Sequence, residues 1–339
     1  MTVYNDISPR TEAFASMDFL TAGLPYLCLE LVADALMIPR NKSKAITLRK
    51  FNSLGLATTP MVEGVTPAAT EYTVTDVTFT LDQYGAYVYI TDVVQNTHED
   101  PVLMQLSMRL GEQAAETIET VRFGVAKAGT NVQYAGGVTS RAAVAGTITR
   151  ATQRTILAGL KTARAKKITN TLRSTPSYGT QSINASFLAI AHPNMEPDIR
   201  DMTGFKAVED YGQMTPFASE IGACEDVRYL ISDIIEPWED AGAAYTGAYK
   251  STGAVQNDVY PILYFAREAF ATVALRTYPF KNSNGKTEYV KPVEILISNP
   301  KPSESDALAQ RGTAGWKTYS TAGIQNDLWM CRAEVCATA

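Results

Sequence analysis

The longest coherent signal in the chain is DPVLMQLSMRLGEQAAETIETVRFGVAKAG, running from Asp100 to Gly129. Asp100 can cap the first N–H groups of a helix, Pro101 suits the first helical position because it has no N–H to lose, and Gly129 supplies a stop. Between them Leu103, Leu106, Leu110, Ala114, Ile118, Val121, Val125 and Ala128 step by three or four residues, which places them on one apolar stripe. At 1.5 Å per residue the pattern predicts one straight helix of about 40 Å. A loop holding Gly136 and Gly137 follows, then a second helix from Thr149 to Lys167 and a Ser/Thr-rich stretch from Thr169 to Ser182.

Upstream of the helix, from Ser43 to Asp92, the texture changes to β-branched and aromatic residues. Two runs, Tyr72 to Leu81 and Tyr87 to Asp92, read as long antiparallel strands. In the first run one face carries Thr73, Thr75, Val77, Phe79 and Leu81, the other Tyr72, Val74, Asp76, Thr78 and Thr80, so neither face predicts a private core. A two-stranded ribbon is marginal in water by itself and is expected to lie on another surface, that of a neighbouring subunit included. Before it, Tyr4 to Arg40 forms an arm with helical spacing at Phe14, Met17, Leu20, Leu24, Leu27, Leu31 and Leu36, which Pro25 must kink or split.

Downstream, Ser186 to Ala191 reads as a strand, Asp198 to Asp210 as a helix, Arg228 to Ile235 and Tyr260 to Tyr264 as extended, and Phe265 to Leu275 as helical or mixed. Asn284-Gly285 is a hairpin turn signal between Tyr278–Lys281 and Thr287–Ser298, and Trp316 to Val335 should return as strand. The pattern predicts an α+β chain with an antiparallel sheet in its second half.

Composition narrows the chemistry. At 339 residues, 45% apolar and 19% charged, the chain can bury a full core and is expected to be ordered almost throughout. A net charge of −5 speaks against a protein held to nucleic acid by phosphate neutralisation. Cys28, Cys224, Cys331 and Cys336 are scattered as expected of free buried thiols, and Cys331 and Cys336, if on one strand, would fall on opposite faces. Met1 to Arg10 has no apolar run behind it that would make a secretory signal, so the mature chain is expected to start near Met1. The window Leu20 to Ile38 carries Pro25, Glu30 and Asp34 and does not read as a membrane span.

No catalytic, metal or cofactor motif emerges. His98 sits in His-Glu-Asp-Pro without the second histidine of a zinc protease helix, and His192 before Pro193 reads as a turn residue. Gly285-Lys286-Thr287 resembles the end of a phosphate-binding loop, but Phe280 stands where that loop needs glycine. The basic cluster Lys161, Arg164, Lys166, Lys167 and Arg173 fits a solvated helix C-terminus better than a DNA contact, and the adjacent acids Glu225-Asp226 and Glu239-Asp240 carry no mark of an acid/base couple.

The order of arm, β-ribbon, long capped helix and α+β lobe resembles the Hong Kong 97 (HK-97) type capsid fold. Four stretches are similar to the phage N-four type major capsid protein family. They are Pro39-Arg-Asn-Lys-Ser-Lys44; Leu56-Ala-Thr-Thr-Pro-Met-Val-Glu-Gly-Val-Thr-Pro67; Thr75-Asp-Val with Asp82-Gln-Tyr-Gly85, Thr91-Asp-Val93 and His98; and Gln310-Arg-Gly-Thr-Ala-Gly-Trp-Lys317 with Asn326-Asp-Leu-Trp-Met330. The resemblance implies an α+β HK-97-like chain divided into an N-arm (1–43), an E-loop β-ribbon (44–95), a peripheral domain with a spine helix (96–181), an axial domain (182–290) and C-terminal strands returning to the core (291–339). It implies a non-enzymatic major capsid protein of a tailed bacteriophage, without cofactor, metal or membrane contact. Pentamers and hexamers would build an icosahedral head in the host cytoplasm around double-stranded DNA bound without sequence specificity. A separate scaffolding protein and a portal are implied partners, and a decoration protein is a further candidate. An encapsulin-like compartment shell is the alternative, with a tail-tube or adhesin protein disfavoured by the long helix.

Candidate intersubunit or structural residues are Tyr72, Val74, Phe79, Tyr84 and Tyr87 on the ribbon and Arg311, Gly312, Gly315, Trp316 and Lys317 near the C-terminus. In the second group the two glycines allow a fixed bend and Trp316 offers a large surface with one N–H donor, so the stretch is expected to act as a structural or intersubunit clamp; an exposed loop with an incidental tryptophan is the alternative. From the acidic balance, the isolated subunit is predicted to show no sub-micromolar DNA affinity at physiological salt. A titration that finds such binding, falling steeply with salt as several phosphate contacts require, would contradict this.

Overall fold

The computed structural model describes residues 27–39, 42–51, 71–93, 102–169, 184–211, 216–276, 279–281, 287–289, 293–298 and 310–339, with isolated positions between 54 and 69 and at 308. Its first part runs β1 (Asp34–Pro39), β2 (Ala45–Phe51), β3 (Val74–Thr80), β4 (Asp82–Thr91), α1 (Val102–Lys127), β5 (Val132–Tyr134), α2 (Arg150–Thr162), β6 (Phe187–Ala191) and α3 (Glu196–Arg200). There follow β7 (Phe205–Ala207), β8 (Glu220–Cys224), β9 (Val227–Ile231), β10 (Tyr260–Phe265), β11 (Phe270–Arg276), β12 (Pro279–Lys281), β13 (Thr287–Tyr289), β14 (Val293–Ser298), β15 (Arg311–Ile324) and β16 (Met330–Val335).

Two sheets organise the chain. The seven-stranded sheet has the order β5-β16-β10-β6-β9-β8-β7 and is mixed: β5–β16 and β6–β9 are parallel, the other pairs antiparallel. Its central strands are buried on both faces, which explains their continuous apolar runs. One face packs on α2 through Ile156, Leu157 and Leu160; the other packs on the end of α1 and the chain before β1 through Phe123, Ala126 and Leu29. Cys331 and Cys336 share the first of these cores, because Cys336 lies just past the end of β16. All four cysteines are buried free thiols, and burial pushes Cys331 up to about 12.

The five-stranded sheet is built around β15. Its residues 311–320 pair antiparallel with β4 on one edge, while 313–318 pair with β14 and 320–324 with β11 on the other; β1 then adds parallel to β11. Helix α1 lies across one face of this sheet, where Leu110 and Ala114 meet Ala314 and Trp316. The sheet takes strands from four of the five segments expected from the sequence.

Buried charges join α1 to both ends of the chain. Glu119 is fully buried and accepts the backbone N–H groups of Cys28 and Leu29 at 2.9 and 2.6 Å, pinning a turn of 3₁₀ helix (Leu29–Leu31) onto α1. Burial pushes the Glu119 carboxyl above its ordinary range, opposed by these donors and by Arg122. At the other end of α1, Arg332 donates to the carbonyls of Lys127 and Gly129 and thereby caps the helix C-terminus. Glu334, fully buried, holds Arg332 at 2.8 Å and Arg141 at 2.7 and 2.8 Å, and Arg141 stacks 3.6 Å over Trp238. Every ionised group of this set has a partner, as burial requires.

Several expectations need correction. The described part of the arm is a 3₁₀ turn and strand β1, so Leu31 and Leu36 do not continue a helix; paired with β11, the segment satisfies its backbone in the sheet. The helix expected over Asp198–Asp210 ends at Arg200, where Gly204 (φ 89°) turns the chain into β7. The mixed stretch Phe265–Leu275 resolves as a tight turn and strand β11, and the second-half sheet is mixed and not purely antiparallel. Within α1 the stripe drifts after Ala114: Glu119, Arg122, Phe123 and Ala126 are buried, whereas Ile118, Val121 and Val125 are half-buried and Ala128 is exposed. The caps Asp100 and Pro101, with His98, Arg173, Asn284 and Gly285, lie outside the described residues.

The ribbon also differs. The strands β3 and β4 follow each other but do not pair; β3 pairs with β2 in a separate two-stranded ribbon, and β4 joins β15. The root of the ribbon has a core after all, since Phe79 and Leu81 pack with Ile38, Ala271 and Val273. Phe79 lies over Gly323 of β15, where any Cβ would collide with its ring. We predict that Gly323→Ala lowers subunit stability by about 1–3 kcal/mol through overpacking and that Phe79→Leu in the same chain recovers part of the loss. Denaturant melts of the four-member cycle test this, and strictly additive effects would show that the two residues do not meet.

Candidate functional site

The C-terminal candidate stretch forms a regular strand, so the bend expected between Arg311 and Lys317 does not exist. Gly312 and Gly315 lie within β15 and neither has positive φ. Gly315 is required by close approach instead: a Cβ there would sit 2.7 Å from the Ala86 carbonyl oxygen and 2.7 Å from the Tyr87 Cβ. Gly85 across the ladder is constrained alike, 2.7 Å from the Trp316 carbonyl oxygen. Trp316 packs within the chain, between β15 and α1. Its side chain is 3% exposed, packs with Leu110 and Ala114 of α1, and donates its indole N–H to Gln113 Oε1 at 3.2 Å. Lys317 pairs at 3.0 Å with Glu294, its register partner on β14. Arg311 opens the strand opposite Thr91 and is exposed.

Alternation along the strands gives this sheet two unlike faces. Ala314 and Trp316 of β15, Tyr84, Ala86 and Ile90 of β4 and Val293 and Ile295 of β14 turn toward α1. Thr313, Gly315 and Lys317, with Gln83, Gly85, Tyr87 and Leu296, line a hollow of about 470 Å³ on the opposite face. Its floor is low because two glycines contribute no side chain, and its walls are aromatic and aliphatic. Tyr87 (64% exposed) meets Tyr89 edge-on, ring centres 5.3 Å apart at 87°. A hydrogen bond with Tyr89 raises the Tyr87 phenol above its ordinary pKa.

The remaining ribbon candidates divide by position. Phe79 is buried at the root; Tyr72 (67% exposed) and Val74 stand at the far end beside Phe51, whose ring centre is 6.2 Å from that of Tyr72. Tyr84, half-buried, belongs to the α1 side of the sheet. Two members of the basic cluster are paired inside the chain. Lys161 and Lys167 hold Asp226 at 2.7 and 3.1 Å and, against burial, keep its carboxyl below the usual range. Arg154 and Arg150 do the same for Glu225 at 2.6 and 2.8 Å. These adjacent acids therefore fasten α2 to the β8–β9 turn. His192 takes the turn role read from the sequence, its Nδ1 accepting the Asn194 N–H at 3.0 Å. Among the described residues no group of three or more His, Cys, Asp or Glu is arranged to hold a metal ion.

Sequence reasoning missed Glu119, Gly323, Tyr89 and Leu296. The first is a polar residue inside a helix pattern, and the others gain meaning only from neighbours distant in sequence.

A projecting ribbon on a sheet braced by one long helix, beside a second α/β lobe, matches known proteins in both sequence and shape. The family described as Phage capsid protein matches residues 73–330. The chain belongs to this family. It is similar in fold to the capsid of Ralstonia phage GP4, at 12% identity and TM-score 0.62 over 91% of this chain and 87% of that one. The cyanophage Pam1 capsid gives 12%, 0.59, 94% and 93% in the same order. An encapsulin from Synechococcus elongatus PCC 7942 is also similar, at 10% identity and TM-score 0.51 over 91% of this chain and 86% of that one. No protein of curated function matches the sequence. The fold is thus HK-97-like, and the chain is a structural subunit of a phage capsid; the family match places it with phage shells rather than with the encapsulin.

Because Trp316 joins the sheet to α1, Trp316→Ala is predicted to cost the subunit about 3–5 kcal/mol and to lower both the yield and the heat resistance of shells. Calorimetry of subunits and particles is the measurement. Normal values for both would mean that the indole braces nothing.

Proposed function

We propose that the chain is the major capsid protein of a tailed bacteriophage, gathered as pentamers and hexamers into an icosahedral head around double-stranded DNA. The observation that carries this reading beyond the family match is the distribution of exposed apolar side chains. Phe51, Leu56, Met61 and Tyr72 are 66%, 85%, 78% and 67% exposed on or beside one projecting ribbon. A free monomer rarely displays such a group, and a subunit destined for contact on several sides needs one.

In this reading α1 and the five-stranded sheet form the peripheral domain, and the seven-stranded sheet forms the axial domain around each ring centre. The β2–β3 ribbon is the E-loop and lies across a neighbouring subunit. The acidic chain holds its DNA by enclosure, without sequence-specific contacts. A separate scaffolding protein guides curvature in the host cytoplasm, a portal occupies one vertex, and a decoration protein is an additional candidate on the outer surface. An encapsulin-like shell is the second reading, supported by the similarity in fold to the Synechococcus protein.

Negative-stain microscopy of the purified protein, alone and with its scaffolding protein, tests the proposal. Curved sheets or closed shells are expected, and particles taken from infected cells should contain nuclease-protected DNA. A protein cargo in place of DNA would establish the encapsulin reading, and a chain that stays monomeric under both conditions would refute both.

A further inference from the structure

We propose that the outward face of α2, with the turn that follows it, is the surface on which the subunit meets enclosed double-stranded DNA through phosphate contacts that read no sequence. The inference rests on the capsid-subunit reading and names the part of the subunit that would line the interior.

Positive charge is concentrated there in a chain that is acidic as a whole. From Arg150 to Lys167 the sequence carries six cations, Arg150, Arg154, Lys161, Arg164, Lys166 and Lys167, and no acid, against a net charge of −5 for the chain. Two acids of the β8–β9 turn meet them, and each is shared: Glu225 lies between Arg150 and Arg154, and Asp226 between Lys161 and Lys167. These acids offset two of the six charges. Arg164 and Lys166 are exposed and enter no ion pair among the described residues.

The needs of the helix account for only part of this pattern. Cations at the C-terminal end of α2 are favoured by the helix dipole, but Arg150 opens the helix and Arg154 follows one turn later, with no acid in the first turn. At that end the dipole opposes positive charge. Arg164 is the sharper case. It follows the helix with φ 56°, in the left-handed position usually given to glycine, and its N–H closes the turn on the Lys161 carbonyl while that of Ala165 reaches the Leu160 carbonyl, both at 3.0 Å. Residues with a side chain are disfavoured in that conformation, so an exposed arginine stands there against the preference of its own backbone. A free charge kept at a conformational cost points to a partner outside the chain.

The shape of the face selects the kind of partner. Ile156, Leu157 and Leu160 turn to the core, while Ala151, Thr155, Ala158, Gly159 and Thr162 are exposed on the other side. A Cβ at Gly159 would meet nothing within 4 Å. Between Arg154 and Lys161 the helix surface is therefore low, and its exposed residues include no large apolar side chain. Protein interfaces draw most of their affinity from buried aromatic and aliphatic anchors, which this face lacks. A phosphate backbone needs only charge and close approach. A few uncompensated charges bind DNA weakly in one subunit, and repetition over the shell multiplies the effect.

Lysine acetylation of intact heads, filled and after loss of their DNA, tests the assignment. Lys161 and Lys166 are expected to be modified several-fold less in filled heads. Equal modification in the two states would overturn the inference and leave the capsid reading intact. Protection found in DNA-free precursors that hold scaffolding protein, and lost in filled heads, would overturn it in favour of an acidic protein partner. Arg164→Gly gives a second readout on the purified subunit. Relief of the left-handed strain should raise the melting temperature, while binding of a short DNA duplex at low salt should become less salt-dependent. The log–log slope is expected to fall by about 0.9 for the one phosphate contact removed. An unchanged slope would overturn the proposal whatever happens to stability. Unmodified particles without nuclease-protected DNA would refute the capsid reading, and this inference with it.

Discussion

The pairing of β15 along both edges at once is the constraint on which the rest of the structure depends. Ten of its residues are held by β4 on one side, and β14 and β11 divide the other side between them. With its edges committed, the strand can vary only in what its two faces carry. One face takes the long helix through Trp316; the other holds the root of the ribbon at Gly323 and leaves the hollow at Gly315. A single strand thereby fixes the helix, the ribbon and the surface between them in one frame.

The second lobe is coupled to that frame by buried charge as well as by apolar packing. Arg332 caps the end of α1 while its own strand lies inside the seven-stranded sheet, and Glu334 balances it together with Arg141. Glu119 performs the corresponding task for the chain entering β1. Removing one member of such a set strands a charge in a dry interior, which costs far more than the pair contributes. The two lobes and α1 are thus fastened to one another by buried charge as well as by apolar contact.

How much of this could be read in the sequence depends on the range of the signal. The long helix, the second helix from Thr149, and strands β6, β10 and β16 follow from residue pattern, which is a local property. The α+β class and the capsid resemblance were legible too. What the sequence concealed was partnership. Tyr72–Leu81 and Tyr87–Asp92 look like natural partners, yet β3 pairs with β2 and β4 with a strand far down the chain. The bend predicted from Gly312 and Gly315 failed because glycine marks close approach as readily as it marks a turn. Glu119 escaped notice because a buried acid on a helix looks like an exposed one until the arm that donates to it is in place. Of the candidate site, Trp316 lies buried between β15 and α1, with its hydrogen-bond partner Gln113 inside the chain.

The long-range pairing of β15 also bears on timing. Arg311 pairs with Thr91, so the central strand of this sheet meets its first long partner only across a separation of more than two hundred residues. Contacts of that range are slow to form, because loop closure must precede any gain from the ladder. On the ribosome, β1, β4 and α1 emerge first and wait without their central strand. The hollow, whose floor and walls come from both ends of the chain, does not exist until synthesis is nearly finished. The sheet that carries the long helix therefore cannot close until nearly the whole chain has been made.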